Sequence, residues 1–298
     1  MLQSAFIENR MMLRTFFLEK TYLRLIAGLG LLFVLAVPAW SQTPRPAPTP
    51  ANPDVASDEK KVEAAVSAAK ISSGNLTAEQ VAELVIAIYG FPNGRTTLNH
   101  IRKTATERGK ITVTNAAGKS ETATYQRWFL RGADEIEKTR IDQQFPNVRF
   151  SLIFDGNELF TVFNESSFIP NEDAAQAFRD KLFHSIDALL RYKESGAELV
   201  LGGREKIFGV EYHLLDMTDK LGRRTRYYVS VKSFRVMMLD YTSAGVDYRR
   251  KFYDYNYAQG TLYPFQSVLS SGDKVLEEQE VGTITFGQKV DDGLFAKP

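Results

Sequence analysis

The sequence predicts an α+β protein, mainly antiparallel β, with helices grouped against a sheet. Three observations carry this. From Arg223 to Phe286, short segments rich in β-branched and aromatic residues (YYVSVKSF, VMMLDYTS, DYRRKFYDYNY, TLYPFQSVL, EVGTITF) are separated by Gly, Ser or Asn, the pattern of a β-meander. Upstream, NVRFSLIF alternates Val148, Phe150, Leu152 and Phe154, as a strand buried on one side requires. Between Pro170 and Ser195 the period changes. There Phe178, Leu182, Ile186, Leu189 and Leu190 are spaced for the buried stripe of one helix, capped by Asn171.

In chain order, residues 1–41 read as a signal peptide. Arg10, Arg14, Lys20 and Arg24 precede an apolar run from Leu25 to Trp40, and Ala39 and Ser41 supply the small residues of a cleavage site. The alternative is an uncleaved inner-membrane tether, since the run approaches the lower bound of about 17 residues for a spanning helix. Met12 is a second possible start. Pro38 and the small residues favour cleavage after Ser41, which places the mature protein in the periplasm. Residues 42–58 contain TPRPAPTPANPD and form an extended Pro-rich linker. Residues 59–298 make up a single domain.

The domain begins with helices. EKKVEAAVSAAK (Glu59 to Lys70) is Ala-rich, and Thr77 with Gln80 forms a capping box opening a second helix with Val81, Leu84, Val85 and Ile88 on one side, closed by Gly90 and Pro92. A polar segment through Leu98 and Ile101 leads to the strand candidates GKITVTN, ATYQRWFLRG, EIEKTRIDQ and NVRFSLIF. Asp155-Gly156 then marks a hairpin into ELFTVF. After the helix capped by Asn171, VLGGREKIFGVEYHLLDM returns to strands, with Gly202-Gly203 and Gly209 at turns or bulges. In the meander Tyr227, Val229 and Val231 alternate with Tyr228, Ser230 and Lys232. Tyr253, Tyr255 and Tyr257 are expected on one strand face, as a stacking platform or as outer cover.

Composition narrows the function. The 298 residues carry a formal charge of +1, which gives no support to a generally basic nucleic-acid surface. No cysteine is present, so disulfides, thiol nucleophiles, cysteine-ligated zinc and a cysteine-borne lipid anchor are excluded. His100, His184 and His213 lack the spacing of metal ligands. There is no G-x-S-x-G elbow and no phosphate-cradling loop. The serine pairs and acidic pairs sit in turns. The basic clusters Arg223, Arg224, Arg226 and Arg249-Arg250-Lys251 interleave with tyrosines, but strand alternation splits such runs between faces, and a solvated outer face accounts for them. Asp240 and Asp254, brought together across the meander, would be the carboxylates of a hydrolase.

The order of elements resembles the LolA-like family of periplasmic outer-membrane lipoprotein carriers and lipoprotein-sorting proteins. The resemblance is carried by AELVIAIYG (Ala82 to Gly90), RFSLIFDGNELFTVF (Arg149 to Phe163), GREKIFGVEYHLLDM (Gly203 to Met217) and the terminal stretch from Gly260 to Pro298, ending in GLFAKP. It implies an incomplete, half-open β-barrel covered by helices, whose concave apolar face shelters the acyl chains of a lipid or lipoprotein. It implies no catalyst and no cofactor, and as partners an inner-membrane donor and an outer-membrane acceptor protein. Without a cysteine after the export segment, the soluble carrier type is expected. The residues implied to line the cavity are Trp128, Leu130, Phe150, Leu152, Phe154, Val229, Val231, Met237 and Leu239 on the sheet, with Ile88, Leu182 and Ile186 on the helices. The alternatives are an envelope protein-interaction or signalling module on the same fold, and the hydrolase above.

Overall fold

Thirteen antiparallel strands form one curved, open sheet in the computed structural model, which describes residues 76–115, 117–132 and 137–298. The expected signal peptide, the linker and the helix from Glu59 to Lys70 lie outside these residues.

The first helix, α1 (Ala78–Tyr89), opens as the capping box predicts. Thr77 Oγ1 accepts from Gln80 N at 3.3 Å, and Gln80 Oε1 accepts from Thr77 N at 2.8 Å. Its stripe of Val81, Ala82, Val85, Ile86 and Tyr89 is buried. The polar segment that follows is a second helix, α2 (Arg95–Ile101), which the sequence analysis does not anticipate because Leu98 alone is buried and no apolar stripe exists to read. Six strands come next: β1 (Thr104–Thr114), β2 (Ser120–Arg131), β3 (Glu137–Gln144), β4 (Arg149–Phe154), β5 (Leu159–Phe163) and β6 (Ser166–Phe168). The β4–β5 hairpin turns at Asp155-Gly156 as expected: Asp155 Oδ1 accepts from Asn157 N and Glu158 N, and Gly156 supplies a φ of 101°.

The single helix expected after Asn171 is three helices: α3 (Glu172–Phe183), α4 (Ile186–Leu190) and α5 (Tyr192–Ser195). Asn171 does cap α3, accepting from Ala174 N at 2.8 Å. The break falls at His184, whose backbone leaves the helical region (φ −96°, ψ 69°) as its ring stacks on Tyr241 at 4.1 Å, and Ser185 then starts α4 by accepting from Ala188 N. Leu182 and Ile186 therefore belong to different packing units.

The return meander comprises β7 (Glu198–Ile207), β8 (Val210–Thr218), β9 (Arg224–Ser230), β10 (Val236–Ser243), β11 (Val246–Ala258), β12 (Thr261–Ser271) and β13 (Lys274–Phe286). Gly202-Gly203 forms the expected bulge in β7, where the register with β8 shifts. The strand order is β6-β5-β4-β3-β2-β1-β13-β12-β11-β10-β9-β8-β7. The chain thus starts at the middle of the sheet, runs out to one edge, crosses through α3–α5 to the other edge, and returns until its last strand lies beside its first.

Two large apolar clusters fill the helix-covered face. In one, α1 and α4 pack on β8–β12, with Tyr227, Val229, Leu239 and Leu262 fully buried. In the other, Phe178 and Leu182 of α3 pack over Ile111, Tyr125, Ile141 and the β4 side chains. The opposite face is covered near β2–β5 by the C-terminal segment, whose 3₁₀ turn (Asp292–Phe295) buries Phe295 against Ile153 and Phe160. One strand departs from simple alternation. Asp254, at φ 49°, reverses the faces of β11, so Tyr255 and Tyr257 join Phe252 in the core while Tyr253 is 42% exposed. The three tyrosines do not share a face.

At the β1–β13 seam the register shifts at Gly109, where an added Cβ would stand 2.0 Å from the Glu280 carbonyl oxygen. Gly109→Ala is therefore expected to cost about 1–3 kcal/mol. Gly282→Ala, whose Cβ would meet the Arg108 carbonyl at an ordinary 3.5 Å, is expected to change stability by less than about 1 kcal/mol. Urea unfolding of the two variants beside the parent checks both.

Candidate functional site

Between the two apolar clusters the inner face of the sheet becomes charged. The register sets Glu107 of β1 directly opposite Arg127 of β2, with Ile141 of β3 next in line. Glu107 is fully buried. Its Oε1 accepts from Tyr125 OH at 2.6 Å and Gln279 Nε2 at 2.9 Å, and its Oε2 from Tyr263 OH at 2.6 Å and Arg127 Nη2 at 2.8 Å. Burial, then the Glu107 charge, pushes the phenol pKa values of Tyr125 and Tyr263 up, which keeps both as proton donors.

Two further sets complete the surroundings. Arg102, at the end of α2, spends its guanidinium inside the protein: Nε on Thr261 Oγ1, Nη2 on the Leu262 carbonyl and Nη1 on Asp187 Oδ1 at 2.6 Å. Lys181 of α3 and Arg250 of β11 converge on one atom, Glu277 Oε1, at 3.1 and 2.9 Å. Burial alone would raise the Glu277 carboxyl, but the Lys181 and Arg250 charges outweigh it and hold the pKa at about 2. Burial lowers the Lys181 pKa and Glu277 opposes it; the neighbouring Arg250 and Arg127 charges add to the lowering.

These groups surround a cleft of about 80 Å³ whose walls include Arg102, Arg127, Lys181, Arg250 and Asp187, with His184 and Tyr263. Each carboxylate in or behind it accepts from a cation: Asp187 from Arg102, Glu107 from Arg127, and Glu277 from Lys181 and Arg250. Among the described residues no group of three or more His, Asp or Glu could hold a metal ion.

The residues expected to line one cavity are divided by the structure. Ile88, Ile186, Val229 and Leu239 lie in the closed α1–α4 core. Phe150, Leu152, Phe154 and Leu182 lie together in the second cluster, each only partly buried. Trp128 and Leu130 face the other side of the sheet, beneath the C-terminal segment, because Arg127 and Phe129 take the inner positions of β2. Met237 sits at a bulge in β10 against the outer cluster of Tyr212 and Tyr228, and Val231 lies beyond the end of β9. Asp240 is clamped by both Arg249 Nε and Nη2 and by Tyr228 OH. It pairs in register with Arg249, five residues from Asp254, which puts the two aspartates about 16 Å apart along the strands. They form no carboxylate pair. The basic runs do split between faces: Arg250 is buried, while Arg249 and Arg226 pair with Asp240 and Asp216 on the outside.

Sequence reasoning misses Glu107, Arg127, Lys181 and Gln279, and it sets the Glu277-Glu278 pair aside as turn charge, whereas Glu277 lies within β13 and is held by Lys181 and Arg250. Glu107 had a signal, since it alternates with Ala105 and Ile111 and so occupies an apolar position of β1.

A curved open antiparallel sheet with helices on its inner face is a half-barrel. Solved structures give it a more particular form. The chain shares its fold with a LolA superfamily protein from Nitrosomonas europaea, at a TM-score of 0.53 and 12% identity, over 75% of this chain and 99% of that one. It is also similar to a DUF1329 family protein from Desulfovibrio piger, at a TM-score of 0.51 and 12% identity, over 74% and 98%. At these identities the likeness is one of fold, and the fold is LolA-like. No protein-family model and no curated protein matches the chain.

His184, which lines the cleft, sets a pH dependence. Its Nδ1 is 2.7 Å from Thr225 Oγ1, Asp180, Asp219 and Arg223 face it, and burial pushes its pKa down to about 4. Because the folded value lies below the unfolded 6.5, the unfolded chain takes up the proton first. The contribution is complete above pH 6.5 and is lost as pH falls toward 4, amounting to roughly 3 kcal/mol. Urea unfolding at intervals from pH 7 to 4 is expected to show this decline, and His184→Gln to flatten it. Glu277 loses its contribution only below pH 4.5, a separate window.

Proposed function

We propose that this chain is an exported periplasmic carrier that shelters the acyl chains of a lipid or lipoprotein for transfer across the envelope. The reading is supported by the LolA-like fold and by the order of basic, apolar and small residues at the N-terminus. The observation that carries it is the second cluster, where Phe150, Leu152 and Phe154 present partly exposed apolar surface under Leu182 of α3. On this reading the acyl seat is that strip, and α3 is its cover. Ile88, Ile186, Val229 and Leu239, in the separate closed core, are not part of the seat. An acyl chain gains about 0.8 kcal/mol per buried methylene, so a dozen methylenes contribute about 10 kcal/mol before ordering costs. Binding of that size needs no catalyst, and release falls to an acceptor protein that competes for the chain.

Mature protein beginning at Gln42, purified from its native envelope without detergent, is expected to carry acyl-bearing species in native mass spectrometry. Absence of any such species, together with no binding of a fluorescent fatty acid, would overturn the carrier reading. Leu182→Glu is expected to weaken fatty-acid binding about tenfold, since a buried charge costs at least the side chain's transfer energy. A folded variant that binds as the parent does shows that α3 is not the cover.

A second reading, an envelope protein-interaction module on the same fold, is favoured by Phe208. It stands 99% exposed at the tip of the β7–β8 hairpin with φ 47°, a position that packing inside the domain does not explain. Crosslinking through a photoreactive side chain at position 208 distinguishes the two: capture of one specific protein with an acyl-free domain supports the module.

A further inference from the structure

We infer that the charged cleft seats the anionic group, phosphate or carboxylate, of an acidic amphiphile whose chain lies on the neighbouring apolar strip. The inference rests on the carrier reading and narrows its ligand: a neutral lipid has no use for this cleft.

Donors are left over where the cleft opens. Arg127 uses only Nη2, on Glu107 and Tyr263, and its Nε and Nη1 make no hydrogen bond with the described residues while the side chain is 22% exposed. Lys181 Nζ makes one hydrogen bond, to Glu277, and is equally exposed, so two of its three donors remain. Glu277 is shared between Lys181 and Arg250, two cations on one oxygen, which leaves positive charge in excess at that end. Glu107 is fully buried behind the wall, so a ligand in the cleft meets the cations and not that carboxylate.

Size gives the second argument. The cleft of about 80 Å³ has room for a group the size of phosphate or carboxylate. The apolar surface adjacent to it is the strip under α3. Lys181 precedes Leu182 on α3, and Tyr125, a member of the apolar cluster, bonds to Gln279 and Glu107 at the cleft. A cationic socket beside an apolar strip is complementary to a molecule with an acidic head and a hydrocarbon tail.

The test uses a matched pair, lauroyl-glycerol and lauroyl-glycerol phosphate, which differ only in the phosphate, with inorganic phosphate as a third probe. Binding to the mature chain is measured by calorimetry below micellar concentrations. The phosphorylated lipid is expected to bind at least about tenfold more tightly than its neutral partner, as for hydrogen bonds to charged groups. Lys181→Met is expected to abolish most of that preference, and Lys181→Arg to restore it. Thermal melting shows that each variant is folded. Equal affinities for the pair, or a preference that survives Lys181→Met, overturn the inference while the carrier reading stands. Inorganic phosphate binding as tightly as the phosphorylated lipid, with the neutral lipid unbound, supports the anion site and removes the carrier reading. No binding of any probe overturns both.

Discussion

A carboxylate without contact to water, Glu107, organises the middle of this molecule. Left unpaired in such a place it would be strongly destabilising, since breaking a buried ion pair costs about 3–5 kcal/mol. The structure answers with four donors on three strands: Tyr125 and Arg127 from β2, Tyr263 from β12 and Gln279 from β13. Because Glu107 belongs to β1, the network ties together strands from both ends of the domain at the place where they meet. It also fixes the register there, because a slip of one residue would turn Glu107 to the outer face and set Thr106 or Arg108 opposite Arg127 in its place.

That polar midline divides the inner face into two unlike halves. On one side α1 and α4 close over β8–β12, and the largest side chains, among them Tyr89, Tyr227 and Leu239, are shut off from solvent. On the other side a single helix, α3, lies over β1–β5, and the aromatic and aliphatic side chains of β4 retain exposure. The first half is a closed core, and the second keeps partly exposed apolar side chains. The cleft lies at the boundary, walled by α3, α4 and the central strands.

Much of the fold was legible in the sequence, because the capping box at Thr77, the alternation around Phe150 and Leu152, the Asp155-Gly156 turn and the meander are all local signals. After Asn171, Leu182 and Ile186 stand four residues apart and so present a single helical stripe. The break depends on a distant partner, Tyr241, that draws His184 out of the helix. In β2 the run Trp128-Phe129-Leu130 offers apolar residues on both faces, and no local signal says which of them point inward. The deciding element is the C-terminal segment, far along the chain, which makes the outer face apolar as well. The site itself was the least legible part. Its charges come from β1, β2, the end of α2, α3, α4, β11 and β13, and only tertiary structure brings them together. A charge at an apolar strand position, such as Glu107, was the one trace visible in advance.

The meeting of the first and last strands has a consequence for how the protein is made. Ala105 lies opposite Phe286, and β1 is flanked by β2 on one side and β13 on the other. The N-terminal meander can pair within itself as soon as it exists, but β1 keeps a bare edge, and Glu107 lacks Tyr263 and Gln279, until the last strand arrives. A contact so distant in sequence is slow to form, and the delay leaves a strand edge unpaired. The half-built sheet is thus the state most exposed to aggregation, and the domain reaches its final form only once its whole length is free to fold.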